Sequence, residues 1–272
     1  MSRSVAWLIL IILCFTLIPA EGSAESFSLS KNWSLNIQEK IGGATYAEKE
    51  QTIKSEWRNI YYRSDVGLDN LRDHSTAIKV IANLGFFAVP TNTETWHVNN
   101  IKYQTNDMGF WGITPGLELG YQFNNLDSQK RCSFAPFLGY NYKHIKFKRT
   151  NFNILNIITS RDIVSEAYDI HYLDLGTYWD YKVGEKWGAF SRISYGFVLS
   201  NKADNSALGI VNGGGGYIIK TDLGLEYQLN DKSSVGFGGF FEIQKLEGGS
   251  KGNVIWPDNY LDTYGVLVNY KI

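Results

Sequence analysis

The end of the chain alternates between apolar and other side chains with a period of two. The apolar members of this run are Tyr264, Val266, Val268, Tyr270 and Ile272. Successive side chains leave opposite faces of a β-strand, so the alternation predicts a strand with one apolar face. The pattern recurs over 217–229, where Leu223 and Leu225 alternate with Asp222 and Glu226. Long strands with one apolar and one charged face are typical of a membrane barrel with a polar lumen.

Such a sheet must close on itself, because an unpaired backbone group in hydrocarbon costs several kcal/mol. The alternation predicts ten strands in all. They lie at about 33–42, 53–63, 78–88, 111–123, 134–142, 173–183, 187–199, 217–229, 234–244 and 259–272. We therefore predict an all-β fold, a transmembrane antiparallel up-and-down β-barrel of about ten strands.

The connections between these strands alternate in length. Short links are predicted at 184–186 and 230–233, and long ones at 90–108, 148–165, 200–214 and 247–258. Membrane barrels have short periplasmic turns and long extracellular loops, so we place the long set outside the cell. The link at about 64–75 is longer than a periplasmic turn usually is.

The N-terminal segment predicts export from the cytoplasm. Arg3 precedes an apolar run over 6–18, and small residues follow as far as Ala24. This order is that of a secretory signal peptide, and the run is shorter than the roughly 20 residues of a membrane-spanning helix. We predict a cleavable signal peptide at 1–24 and a barrel domain at 25–272, located in a bacterial outer membrane.

Charged side chains on the faces opposite the apolar ones are predicted to line the lumen. They are Lys79, Glu118, Asp174, Asp180, Arg192, Lys220, Asp222, Glu226 and Glu242. Unpaired buried charges are costly, and a ten-stranded bore is narrow, so we expect ion pairs that close the lumen. A small porin-like channel for modest solutes is the alternative that this composition leaves open.

Two features of the chain resemble those of known bacterial outer-membrane proteins. The C-terminal run resembles the assembly signal of bacterial outer-membrane proteins, which implies contact with the outer-membrane assembly machinery, although Ile272 stands where that signal has an aromatic residue. The mature chain is similar, in length and ten-strand layout, to the omptin proteases and the Opc-type adhesins. That similarity implies either proteolysis at the barrel mouth or adhesion through the external loops.

An omptin-like endopeptidase would need an Asp-His pair that faces two further acidic residues and activates a water molecule. Asp169 and His171 have the required spacing of two. However, extending the alternation from Leu173 places both side chains on the outer wall, away from the mouth. The early external loops also contain no Asp-x-Asp partner. We therefore keep proteolysis as an alternative to a non-enzymatic role.

Adhesion has support from a basic segment at the predicted outer end of the fifth strand. The candidate ligand-binding residues are Lys143, His144, Lys146, Lys148 and Arg149, with Trp96 and Trp256 in the external loops. Cationic groups at this height can bind sulfated glycans, as the Opc-type resemblance implies, or the phosphates of lipopolysaccharide and outer-membrane lipid. We predict a surface adhesin or ligand-binding barrel that uses its extracellular loops.

Other partners and cofactors have no support in the sequence. The formal net charge is −1, which gives no indication of nucleic-acid binding. The four histidines lie on separate segments without the spacing of a metal site, and we predict no cofactor and no metal.

Overall fold

The computed structural model describes residues 33–50, 52–71, 77–124, 132–155, 158–160, 162–230, 233–252 and 254–272. The predicted signal peptide at 1–24 lies outside these ranges, so its cleavage stays a prediction. No helix in the described part of the chain is long and apolar enough to cross a membrane.

Ten long strands form the wall of a closed barrel. They are β1 (Ser34–Glu50), β2 (Ile53–Asp69), β3 (Ile78–Val98), β4 (Ile101–Tyr121), β5 (Cys132–Ile154), β6 (Val164–Lys182), β7 (Trp187–Asn205), β8 (Gly216–Gln228), β9 (Ser234–Leu246) and β10 (Asp258–Lys271). Each strand pairs antiparallel with the next. β1 closes the ring on β10, with Asn36 opposite Lys271. The predicted fold class is confirmed.

A belt of exposed apolar side chains surrounds the wall. It includes Ile41, Ile60, Val66, Phe86, Leu117, Leu138, Leu175, Ile193, Phe197, Leu223, Leu225, Phe237, Phe241, Val266 and Val268. Leu223 and Leu225 are 51% and 52% exposed, whereas Asp222 and Lys220, which face the lumen, are 6% and 8% exposed. Soluble monomers do not present apolar surfaces of this extent to water. The molecule is therefore an outer-membrane barrel, in which lipid covers the belt and the ten long strands close into a ring.

The two ends of the barrel differ. One end carries Ser34, Lys271 and the connections 183–186 and 229–233, and we call it the periplasmic end because short turns lie on that side in this class of barrel. The strands extend to different heights at the outer end, because β1 to β7 have 17 to 23 residues whereas β8 to β10 have 13 or 14. A transmembrane strand needs about 9 to 11 residues, so the longer strands continue beyond the lipid belt.

These long strands correct several predicted boundaries. Strands β3 and β4 are joined by Asn99 and Asn100, whose φ angles of 51° and 64° suit a two-residue hairpin turn. The predicted external loop at 90–108 is therefore wrong. The predicted loops at 148–165 and 200–214 are also largely strand, and β2 extends to Asp69 through the first half of the predicted link at 64–75.

The apolar face of a strand switches from the outside to the inside as the strand leaves the belt. In β5, Leu138 and Tyr140 are exposed on the outer face, whereas Ile145 and Phe147, on the opposite face, are 1% and 2% exposed. In β6, Leu175 points outward and Ile170 is buried inside. Lipid surrounds the lower wall and favours apolar residues outside, whereas water surrounds the upper wall and drives them inward.

Candidate functional site

The outer half of the lumen is filled by aromatic side chains. Phe147 lies at the centre of this group, with its ring centroid 5.0 Å from that of Tyr46, 4.9 Å from that of Phe110 and 5.7 Å from that of Tyr168. The indole of Trp57 packs on Phe110 and donates to the carbonyl of Met108 at 3.1 Å. All five rings are at most 3% exposed. We call this group the aromatic plug (Tyr46, Trp57, Phe110, Phe147 and Tyr168).

Arg149 lies at the outer side of the aromatic plug and contacts three carboxylates from three strands. Its guanidinium donates to Glu48 at 2.5 Å, to Glu94 at 2.8 Å and to Glu166 at 2.5 Å. Asn106 donates to Glu94 at 2.8 Å. Each of the four ionisable side chains is at most 6% exposed, so the group is desolvated as well as paired. We call Arg149, Glu48, Glu94 and Glu166 the arginine cluster.

Three carboxylates around one guanidinium cannot all be stabilised equally. Burial raises the pKa of Glu48 to about 7, and the neighbouring Glu166 and Glu94 add to this against the attraction of Arg149. Burial also disfavours ionised Glu94, but its contacts with Arg149 hold the pKa of Glu94 below the usual range. Glu48 therefore exchanges its proton with solvent near neutral pH.

A hairpin folds over the outer mouth above the aromatic plug. It is formed by the short strands 249–251 and 254–256, within the predicted external loop 247–258. Trp256 is 5% exposed and donates from Nε1 to the hydroxyl of Tyr168 at 2.9 Å. Trp96 is half-buried, with its ring centroid 5.8 Å from Cζ of Arg149. Both predicted loop aromatics thus contact the lumen contents, so they do not form an exposed ligand-binding surface.

The five basic residues proposed as one ligand-binding group are divided between the two faces of β5. Lys143 and Arg149 point into the lumen, where Lys143 is paired with Glu242 at 2.7 Å and Arg149 belongs to the arginine cluster. His144, on the outer face, contacts Asp169 at 2.8 Å through Nδ1. Lys146 and Lys148 are exposed on the outer face. The predicted group of five is therefore reduced to these two lysines at the surface.

Asp169 and His171 lie on the outer face of β6 and do not line the mouth. Asp169 accepts hydrogen bonds from the Tyr142 hydroxyl and contacts His144, whereas His171 contacts the Tyr140 hydroxyl at 2.6 Å. A catalytic pair would need the carboxylate to orient the imidazole of the same pair. Each member instead contacts residues of β5, so this geometry gives no support to an omptin-like site.

Charged residues line the lower lumen in several ion pairs, some of which share a partner. Arg192 contacts Glu118 at 2.5 Å and Asp174 at 3.4 Å, and Lys220 contacts Asp174 at 2.7 Å. Asp222 is paired with Lys40, and Glu226 with Lys271 at 3.3 Å. Lys79 is 1% exposed and donates to the carbonyl of Asn70, while Asp180 lines a cavity near the periplasmic end. The structure therefore places all nine of the residues proposed for the lumen inside the barrel.

Sequence reasoning missed several members of this interior. The three acidic members of the arginine cluster were not predicted to face the lumen. Glu48, Glu94 and Glu166 lie on parts of the strands beyond the predicted strand ends. Lys40 and Arg63 were also missed. A fixed period of two, continued from Lys40 and from Asp174, points Glu48 and Glu166 inward. It fails for Glu94, because an irregularity between Val89 and Asn92 changes the phase of β3.

Comparison with models of protein families, and with the sequences of curated proteins, gives no match. Among solved structures, the chain is similar to the translocator domain of the autotransporter NalP from Neisseria meningitidis, with 13% identity, coverage of 97% of this chain and 96% of that chain, and a TM-score of 0.38. It is also similar to a major outer membrane protein from Thermus thermophilus, with 10% identity, coverage of 88% of this chain and 99% of that chain, and a TM-score of 0.42.

A third similar structure is that of Neisserial surface protein A, with 11% identity, coverage of 86% of this chain and 95% of that chain, and a TM-score of 0.31. These similarities are too distant to transfer a function. The assignment to the outer membrane therefore rests on the closed wall and the apolar belt.

Proposed function

We propose that the protein is a non-conducting outer-membrane barrel that binds anionic glycan chains at the cell surface through outward-facing lysines of β5. The observation that carries the proposal is the filled outer lumen. The aromatic plug and the arginine cluster occupy the space that a solute would have to cross, and their side chains are nearly fully buried. A barrel filled in this way serves as a rigid support for its outer surface.

Lys146 and Lys148 supply the charge for this surface. They lie two residues apart on the same face of β5, so their side chains start about 7 Å apart along the strand. Both are exposed, and Lys146 is opposite the exposed Trp111 of β4. Two ammonium groups beside an indole ring fit a glycan that carries sulfate or phosphate groups. The resemblance of the ten-stranded layout to that of the Opc-type adhesins supports this proposal.

The test is binding of the purified protein, in detergent micelles, to heparin as a sulfated probe. Replacing both lysines in the double variant Lys146→Ala/Lys148→Ala is expected to weaken heparin binding about tenfold, because two exposed charge contacts are lost. The matched control is Lys182→Ala/Lys186→Ala, which removes two exposed lysines at the periplasmic end and should leave the affinity unchanged. Equal losses in the two variants would refute the assignment of this surface.

Two sources of anionic glycan can be separated in the same experiment. If the lysines recognise host glycans, heparin binds tightly while lipopolysaccharide does not compete for the site. If they recognise the surrounding lipid, purified lipopolysaccharide displaces heparin. Desulfated heparin should bind as tightly as heparin only if the sulfate groups make no contact. Single-channel steps in planar bilayers with the unmodified protein would contradict the non-conducting barrel.

A further inference from the structure

A polar cavity of about 120 Å³ lies in the periplasmic half of the lumen. It extends from Lys220 and Glu242, near the middle of the barrel, to Asn36 and Lys271 at the periplasmic end. One ordered water needs roughly 10 to 15 Å³ on this measure, so the cavity has room for on the order of ten water-sized groups. That number is comparable with the heavy-atom count of one monosaccharide.

The charged side chains around the cavity are held by one another. Lys40 donates to both carboxylate oxygens of Asp222, at 2.8 and 2.9 Å. Arg63 donates to both oxygens of Asp65, each at 2.8 Å, and also contacts Glu242 at 3.5 Å. A charged ligand would have to break such pairs in a site that is mostly buried, and that is costly.

The uncharged polar groups at the cavity are in the opposite situation. Thr114 Oγ1, Asn141 Nδ2 and Asn269 Oδ1 are buried and have no hydrogen-bond partner among the described residues. These three residues are 2%, 2% and 3% exposed, and all of them line the cavity. They come from β4, β5 and β10. Together they place a hydroxyl, an amide donor and an amide acceptor, none with a hydrogen-bond partner among the described residues, in the wall of one cavity.

Two glycines leave the space in which the side chains of Asn141 and Asn269 lie. A Cβ atom at Gly116 would lie 2.1 Å from Oδ1 of Asn141, and one at Gly236 would lie 1.9 Å from Oδ1 of Asn269. Each amide therefore lies directly against the backbone of a neighbouring strand, in space that any other residue would occupy. The amide groups are thus fixed by the wall, as a binding site requires.

We infer that this cavity binds a small uncharged polyhydroxylated molecule, of the monosaccharide class, from the periplasmic side. Hydroxyl groups both donate and accept, so one sugar can satisfy the hydroxyl, the amide donor and the amide acceptor together. The ligand needs no charge because Lys40 is already paired with Asp222 and Arg63 with Asp65. A sugar hydroxyl can also accept a hydrogen bond from Nε of Arg192, because this side chain lines the cavity and its Nε has no partner among the described residues. This site is separate from the proposed glycan surface of β5, which lies outside the barrel near the other end.

The test measures binding of three sugars to the full chain in detergent micelles by titration calorimetry and saturation-transfer NMR. Glucose is the uncharged probe, and glucosamine and glucuronate have the same ring with a positive or a negative group. We expect a Kd for glucose on the order of 1 mM, as for a ligand of this size, and at least tenfold weaker binding of both charged sugars. No binding of glucose at tens of millimolar, or tighter binding of either charged sugar, overturns the inference.

A pair of matched variants locates the site. Thr114→Val removes the cavity hydroxyl with almost no change of volume, and should weaken glucose binding about tenfold. Thr263→Val is the control, because Thr263 is also 2% exposed and its Oγ1 also has no partner among the described residues, but it does not line the cavity. Equal affinity in the two variants would overturn the site, and comparable urea unfolding of both would show that folding is not the cause.

Discussion

The outer and periplasmic halves of the lumen solve the same packing problem in different ways. The outer half is filled by the aromatic plug, and its buried charge is concentrated in one guanidinium with three carboxylates. In the periplasmic half, cations and anions are distributed in separate pairs, such as Lys40 with Asp222, around a polar cavity. The backbone wall is continuous through both halves, so the difference comes from the inward-facing side chains alone.

This comparison shows how charge compensation depends on packing density. Where aromatic rings exclude water, a single arginine compensates several acids, and its removal leaves them without a cation. Where a cavity admits polar contacts, each pair is nearly complete by itself. We therefore expect the loss of one cation to cost more in the outer half, where it leaves three carboxylates unpaired, than in the periplasmic half, where it leaves one.

The largest expected effect is that of Arg149→Met. This change keeps an apolar stem of similar length but leaves Glu48, Glu94 and Glu166 buried without their guanidinium. The free energy of unfolding should fall by about 3 to 5 kcal/mol, measured by urea titration in lipid vesicles near neutral pH.

The neighbouring residue of β5 gives the control for this change. Lys148→Met makes the same type of substitution on the exposed outer face and should change the free energy of unfolding by at most about 0.5 kcal/mol. A similar small loss for Arg149→Met would mean that the arginine cluster is not desolvated, and the contrast between the two halves would not hold.

The next effect concerns pH and the carboxyl group of Glu48. This residue lies beyond Ile41, the exposed apolar residue of β1, toward the outer end. Its pKa rises from an ordinary 4.5 to about 7 in the folded state, so between these values the folded state binds more protons than the unfolded state. The free energy of unfolding should therefore fall as pH rises from about 4.5 to 7, by about 3 kcal/mol in total.

The variant Glu48→Gln isolates this contribution. Glutamine resembles the protonated carboxyl at all pH values, so the variant should be as stable as the unmodified protein near pH 5 and more stable near pH 8. Glu185→Gln, in an exposed periplasmic turn, should leave the pH dependence unchanged. If Glu48→Gln has the same slope as the unmodified protein between these pH values, another group is responsible.

The fold was predictable from the sequence because lipid imposes a simple rule on the lower wall. Leu223 and Leu225 face lipid while Asp222 faces the lumen, and a period of two records this directly. The outer wall was not predictable by the same rule. There, Ile145 and Phe147 of β5 are apolar on the inner face, so the phase of the apolar residues is reversed and the alternation of the lower wall stops before the strand does.

The second strand shows the same overlap of two apolar faces. Ile60 is 50% exposed on the outer face, whereas Trp57 and Tyr61 are buried on the inner face of the same strand. Both faces are thus apolar where the belt and the aromatic plug overlap. The arginine cluster was missed for a related reason, since its carboxylates converge only when three long strands are correctly extended past the belt.

The smallest expected effect comes from removing a complete ion pair in the periplasmic half. The double variant Lys40→Met/Asp222→Leu replaces both partners by apolar side chains of similar size, so no buried charge of this pair is left unpaired. The free energy of unfolding should change by at most about 1 kcal/mol, whereas Lys40→Met alone should cost about 3 kcal/mol because Asp222 then stays buried without its partner. A double-mutant cycle by urea titration measures the difference. If the double variant loses as much as the single one, the pair is not self-contained, and the periplasmic half shares its charge as widely as the arginine cluster does.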